Sequence, residues 1–232
     1  MSAFYFPSGV IQFKHIDQIG MRYQMNSILV HGLGQTASSW EKVKTRLRLG
    51  GEVFCPDLYA IAGTEQIDYL AIYSAFSVYC DQIEGSLYLC GLSLGAVLAL
   101  QYALEHPERV DSLILIAPQY KMPRFLLALQ NILFSIMPQS VFSEMGLTKE
   151  AFVGICNSMA VLDFSDTVSS LRCRTVLICG EKDWPNIKAA RKLHAILPAS
   201  QLRLVSDAGH ELNVEAPENL AEILNECWNR GE

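Results

Sequence analysis

The stretch that most constrains the fold of this chain is Gly91-Leu92-Ser93-Leu94-Gly95. It stands between the apolar run Ser86-Leu87-Tyr88-Leu89-Cys90 and a second apolar run, Ala96-Val97-Leu98-Ala99-Leu100. A strand pattern passing into a helix pattern, with a serine at the junction and glycines two residues to either side, reads as a nucleophile elbow. The chain must turn so sharply there that the serine takes a strained backbone conformation, and a side chain at either glycine would clash. Such a turn lifts the Ser93 hydroxyl clear of a sheet. It also sets the first amides of the new helix beside that hydroxyl, where their partial positive charge can meet a developing oxyanion.

A serine hydroxyl is a poor nucleophile at neutral pH, so a catalytic reading requires a base and a group that orients the base. Near the C-terminus, Asp207-Ala208-Gly209-His210 follows the strand-like Gln201-Leu202-Arg203-Leu204-Val205. The glycine is expected to let a loop turn back over the sheet with the histidine at its tip. Upstream, the continuous apolar strand Arg174-Thr175-Val176-Leu177-Ile178-Cys179 ends in Gly180-Glu181-Lys182-Asp183, ahead of a helix pattern. An acid at the C-terminal end of a parallel strand lies on the same sheet edge as the elbow. The order Ser93, Asp183, His210 differs from the orders of the other serine-triad folds. Asp207 is the competing acid, but only three residues before the histidine it is better placed to shape the loop than to reach the ring.

A further landmark is Ile28-Leu29-Val30-His31-Gly32-Leu33-Gly34, with Trp40 shortly after. With it, the chain resembles the α/β-hydrolase-fold serine hydrolases over nearly its whole length. The resemblance implies an α/β fold with a mostly parallel, doubly wound sheet and a helical cap insertion. It further implies an oxyanion hole built from the backbone N–H groups of Leu33 and Leu94, and a reaction that needs no cofactor. The family's dehalogenases and epoxide hydrolases carry an aspartate where this chain has Ser93. Its menaquinone-pathway lyases usually show Gly-Gly-Arg where this chain reads Gly95-Ala96-Val97.

At 232 residues, half of them apolar, the chain suits one domain with a sheet covered on both faces. A formal net charge of −6 with no run of Lys or Arg argues against nucleic acid as a partner. The expected partner is a small-molecule acyl substrate. Residues Met1 to Pro7 do not resemble a secretory signal, and seven cysteines scattered through strand and helix patterns favour reduced thiols. Both points suggest a cytoplasmic protein.

Residues 10 to 16, 27 to 31, 52 to 55 and 112 to 116 read as further strands, and Ile72, Phe76, Tyr79 and Ile83 recur at helical spacing. A last helix starts at Pro217 and presents Leu220, Ile223, Leu224, Cys227 and Trp228 on one face. Strands alternating with helices imply a mostly parallel sheet. Residues 119 to 170 break the alternation where the family inserts its cap, leaving 1 to 118 and 171 to 232 as the core. Within the insertion, Phe125 to Met137 is apolar on nearly every face and too short to span a bilayer, so no stable membrane insertion is expected. It reads as a helix packed on the body, or as one that also lines an apolar pocket above Ser93. A second helix is expected from about Thr148 through Phe152, Ile155 and Met159.

Other residues have simpler readings. His31 braces its loop, His106 ends a helix, and His15 and His194 show no partner in sequence. Cys90 is a packed thiol, and Lys121 and Arg124 are surface charges. No spacing suits a zinc site. The segment from Gly32 to Ala37, with Asp57 closing the next strand, also fits a dinucleotide-binding fingerprint, but that reading gives no role to the elbow, Asp183 or His210. A ligand-binding protein on the same fold is the other alternative class.

Overall fold

The structure, a computed structural model, describes residues 26–63, 67–122, 138–139, 142 and 147–229. The strand expected at 10 to 16, the apolar stretch Phe125 to Met137, His15 and Arg124 lie outside them. Six strands form one sheet: β1 (Asn26–Val30), β2 (Val53–Phe54), β3 (Leu87–Leu92), β4 (Val110–Ile116), β5 (Arg174–Gly180) and β6 (Gln201–Val205). Their order is β2-β1-β3-β4-β5-β6, and each adjacent pair is parallel.

The side-chain period of two divides each strand between two cores. Leu29, Cys90, Leu92, Ile114, Ile116, Val176 and Ile178 meet Trp40, Val43 and the last helix, α8 (Pro217–Asn229), which contributes Leu220, Leu224 and Trp228. On the other face, Ile28, Val30, Leu87, Leu89, Leu113, Leu115 and Leu177 meet α3 (Tyr69–Asp81) and α4 (Leu94–Glu105). Burial on both faces explains why the strands read as near-continuous apolar runs.

The chain steps outward from β1 to β2, then resumes on the far side of β1 with β3 and continues away. The loops leaving β1 and β3 therefore diverge, and a crevice opens between them at the carboxyl edge of the sheet. The elbow occupies that position. Ser93 has φ 53° and ψ −110°, and its amide donates to the Ile116 carbonyl at 3.0 Å. A Cβ at Gly91 would stand 2.1 Å from the Gly95 oxygen, and one at Gly95 would stand 2.3 Å from the Val30 oxygen. The two glycines are thus required by the closeness of the backbones.

Local signals set the other ends. Asp68 accepts from the Ala71 amide at 2.8 Å and starts α3, whose Ile72 and Phe76 are buried. That helix ends at Asp81, so Ile83, expected on its apolar face, lies instead in the following turn, bonded to Cys80. Thr148 caps a helix over Lys149–Met159, here α5, by accepting from the Ala151 amide at 3.1 Å. Phe152, Ile155, Cys156 and Met159 of this helix join the core that holds Tyr69 and Tyr73.

The glycine contacts make a test. In Gly95→Ala the new methyl meets backbone that cannot yield, a clash of the overpacking class, and the expected loss is about 3 kcal/mol or more. Gly50 has open space around it, so Gly50→Ala is expected within about 1 kcal/mol of the parent. Urea unfolding of the two variants against the parent checks this, and equal midpoints would contradict the close-approach account.

Candidate active site

Parallel strands bring their carboxyl ends to one edge, and four loops meet there. They are His31 to Thr36 after β1, Ser93 after β3, Glu181 to Asp183 after β5 and Ser206 to Glu211 after β6. A Cβ at Gly32 would lie 3.6 Å from the Ser93 Cβ, so the first loop runs against the elbow. A Cβ at Gly180 would lie 2.1 Å from the Gly209 oxygen, so the histidine loop runs against the end of β5.

That second approach brings His210 to Asp183. The Nδ1 of His210 lies 2.7 Å from Asp183 Oδ2, and the aspartate is only 7% exposed. Asp183 occupies the N-cap position of α6 (Trp184–Ile196), yet its carboxylate makes no side-chain capping bond of the usual geometry. It faces His210 and the side-chain amide of Asn186, whose Nδ2 donates to Oδ1 at 2.8 Å and to Oδ2 at 2.9 Å. Asp207 points elsewhere. Its side chain is 95% exposed and pairs with Lys182 at 3.4 Å. In the histidine loop the left-handed residue is Asp207, with φ 61°, rather than the glycine that sequence singled out.

Polar side chains fasten the loop after β1. The neutral His31 ring donates from Nδ1 to the Gly32 carbonyl at 2.9 Å and accepts the Leu58 amide on Nε2 at 3.0 Å. The Tyr59 hydroxyl accepts the Gly34 amide at 2.9 Å. Gln35 reaches across to the segment after His210, donating to Asn213 Oδ1 and to Glu211 Oε1, both at 3.2 Å. Asn213 Nδ2 returns a bond to Gln35 Oε1 at 3.0 Å. Among the described residues, no acceptor engages the amides of Leu33 and Leu94, and Ser93 Oγ makes no hydrogen bond.

The two histidines of the site are held in opposite senses. Burial lowers the His31 pKa below its ordinary 6.5, outweighing the Gly32 carbonyl and the Asp57 charge. The hydrogen bond to Asp183 raises that of His210 above 6.5 against the opposing effect of burial, with Glu211 and Glu215 adding to the rise. For Asp183, burial pushes upward, but the bonds from His210 and Asn186 prevail and hold the carboxyl below its usual range.

Other residues singled out in the sequence have structural roles. Asp57 accepts from the Tyr59 and Ala60 amides as the N-cap of the short helix Leu58–Ala62. Cys90 is fully buried, and burial pushes its thiol well above the ordinary range. Lys121 pairs with Asp163 at 2.8 Å. His106 caps the end of α4 and stacks on Tyr102, and His194 meets the Ser200 hydroxyl at 2.8 Å. Sequence reasoning passed over Gln35, Asn213, Asn186 and Gln119. Short amides carry no local pattern, and their partners lie up to 178 positions away.

Residues 28–223 match the sequence profile of the Alpha/beta hydrolase family. Over 175 residues the chain is 25% identical to a Bacillus subtilis (strain 168) protein provisionally named 2-succinyl-6-hydroxy-2,4-cyclohexadiene-1-carboxylate synthase, covering 60% of this chain and 64% of that one. Over 237 residues it is 25% identical to a protein of Escherichia coli O157:H7 (strain EC4115 / EHEC) provisionally named carbamate hydrolase RutD, covering 85% of this chain and 88% of that one. The solved esterase from Exiguobacterium antarcticum shares the fold, with a TM-score of 0.75 at 18% identity over 88% of this chain and 92% of that one. Among the described residues no helix is long and apolar enough to cross a membrane. With the family pattern running from β1 into the last helix, and with this sheet beneath it, the chain belongs to the α/β hydrolase family.

Proposed function

We propose that the chain is a serine hydrolase that cleaves a small, mainly apolar carboxylic ester, or a related acyl compound, through an acyl-enzyme. The observation that carries this reading is the 2.7 Å bond between His210 and Asp183 on the sheet edge where Ser93 is held at φ 53°. With Nδ1 bonded to the carboxylate, the proton-accepting nitrogen of His210 is Nε2. In the proposed reaction Ser93 Oγ attacks the carbonyl carbon while Nε2 takes its proton, and the carbonyl π pair moves onto oxygen. The Leu33 and Leu94 amides receive that oxyanion. Collapse re-forms the carbonyl, expels the leaving group and returns the proton to it from Nε2. Water then repeats the sequence on the acyl-enzyme and frees Ser93. Asp183 stays ionised throughout, orienting the imidazole and stabilising its charged form.

The apolar preference rests on the sequence of Phe125 to Met137, and a carbamate belongs in the substrate panel because the Escherichia coli relative bears that name. The proposal includes a cytoplasmic setting, supported by the scatter of cysteines through the sequence.

A fluorophosphonate probe is expected to leave one adduct, on Ser93, and none on Ser93→Ala, read by peptide mass mapping. A folded protein that stays unlabelled would instead support ligand binding without turnover. On an activated ester, Asp183→Asn is expected to lower kcat by about two to four orders of magnitude with an unchanged circular dichroism spectrum. Asp207→Asn is expected to stay within about threefold of the parent, as befits an exposed ion pair. The reverse ranking would remove Asp183 as the orienting acid.

The pH dependence follows from the raised pKa of His210, since the base works only when neutral. Activity is therefore expected to fall as pH drops through a midpoint above 6.5. In an NMR titration the His210 ring should share that midpoint, while His31 should titrate below 6.5. A rate that stays flat from about pH 5 to 8 would exclude histidine as the base.

A further inference from the structure

We propose that Asn186 and Gln119 form a positioning pair that holds the Asp183 carboxylate toward His210, an inference that rests on the triad reading above. It begins with what Asp183 does not do. An aspartate at an N-cap ordinarily accepts the second or third helix amide. In the helix that begins at Trp184 the second residue is Pro185, which has no N–H to offer, and no side-chain capping bond of the usual geometry forms. The carboxylate turns to His210, and the third helix residue, Asn186, supplies its side-chain amide. Asn186 Nδ2 lies 2.8 Å from Oδ1 and 2.9 Å from Oδ2 of Asp183.

Which way this amide faces matters for the base. Reversed, its oxygen would oppose the carboxylate and would stand where Nδ2 now stands, 3.2 Å from His210 Nδ1. There it would compete with Asp183 for the Nδ1 proton that fixes the working tautomer. Gln119 prevents the reversal, because its Nε2 donates to Asn186 Oδ1 at 2.7 Å. A donor on that side and a carboxylate on the other leave a single orientation in which the Asn186 oxygen meets a donor and its nitrogen meets the carboxylate. Gln119 itself is fixed where the chain leaves β4, two residues past Ala117, whose left-handed φ of 50° and amide bond to the Ile178 carbonyl at 2.8 Å anchor the exit. The acid is thus aimed by a residue from a different strand end, 67 positions before Asn186.

The decisive variant is Gln119→Glu, which keeps the shape of the side chain and replaces its donor with an acceptor. On an activated ester such as 4-nitrophenyl acetate, its kcat is expected to fall about 10-fold or more, with KM within about twofold. Asn186→Leu removes a charge-assisted donor and is expected to lose about 10- to 100-fold in kcat. Because the two amides act as one unit, the double variant should be no slower than about twofold below the worse single variant. Gln119→Met, which keeps the volume without the polarity, should also lose kcat and replaces Gln119→Glu if that variant melts more than a few degrees early. The inference is overturned if the Gln119 and Asn186 variants turn over within twofold of the parent, or if their losses multiply, while Asp183→Asn is impaired. Should Asp183→Asn itself run at the parental rate, the triad reading falls and this inference falls with it.

Discussion

Everything at this site depends on the backbone of Ser93 being held where an L-residue rarely goes. A φ of 53° with ψ −110° is unfavourable by about 1–3 kcal/mol, and it persists only when the surroundings leave no alternative. They do so here because β3 is paired on both sides and α4, which follows at once, is buried along most of its length. The space between them closes until Gly91, Gly95 and Val30 touch through their backbones. The strain is therefore balanced by packing that extends over the whole sheet, and the crevice beside β1 follows from the same strand order.

The loops around the elbow are aligned by polar side chains, each with its partners supplied. Gln35 and Asn213 are buried and exchange two hydrogen bonds, so the loop after β1 and the segment after His210 are held to one another. His31 could take part in this only as a neutral ring, since its Nε2 lone pair receives the Leu58 amide. His210 sits beside a carboxylate, and its charged form is favoured. One residue type thus serves as a brace in one loop and as a candidate base in the other, and the difference lies in which neighbours each ring meets. The pairing of His210 with Asp183 has opposite effects on stability and on the proposed chemistry. A raised histidine pKa contributes stability that is complete below about 6.5 and fades as pH rises through the folded-state value, whereas the neutral base is available only above that value.

Much of this was legible in the sequence because it is local. The elbow, the apolar strands expected at 86 to 90, 112 to 116 and 174 to 179, and the cap at Thr148 each follow from side chains within a few residues of one another. That Ser93, Asp183 and His210 follow strands ending on one edge of the sheet was legible too, since parallel strands must bring their carboxyl ends together. Two details were not. Helical spacing extended α3 to Ile83, but the helix ends at Asp81, because spacing records which side chains face the core and not where the backbone bonds stop. The amides Gln35, Asn213, Asn186 and Gln119 gave no signal, because an amide's role is decided by what lies opposite it in space and its partners belong to other strand ends.

The contrast between the two aspartates shows how far sequence distance and spatial reach can part. Asp207 is three residues from His210, yet the chain between them must reverse, and Asp207 takes a left-handed φ of 61° to make that reversal. Its carboxylate is carried outward to Lys182 and water. Asp183 is 27 residues away, but β5 and β6 are adjacent parallel strands, and Gly180 lets the histidine loop settle against the end of β5. A rigid pair of neighbouring strands delivers a side chain to an interatomic distance of 2.7 Å more dependably than a short turn whose geometry is already committed to changing direction. The same logic extends to the supporting amides. Gln119, leaving β4, reaches Asn186 after β5, and Gln35, leaving β1, reaches Asn213 beyond β6. In this chain the sheet edge aligns the polar groups, and each loop needs only to hold its own residue in the orientation that its neighbours complete.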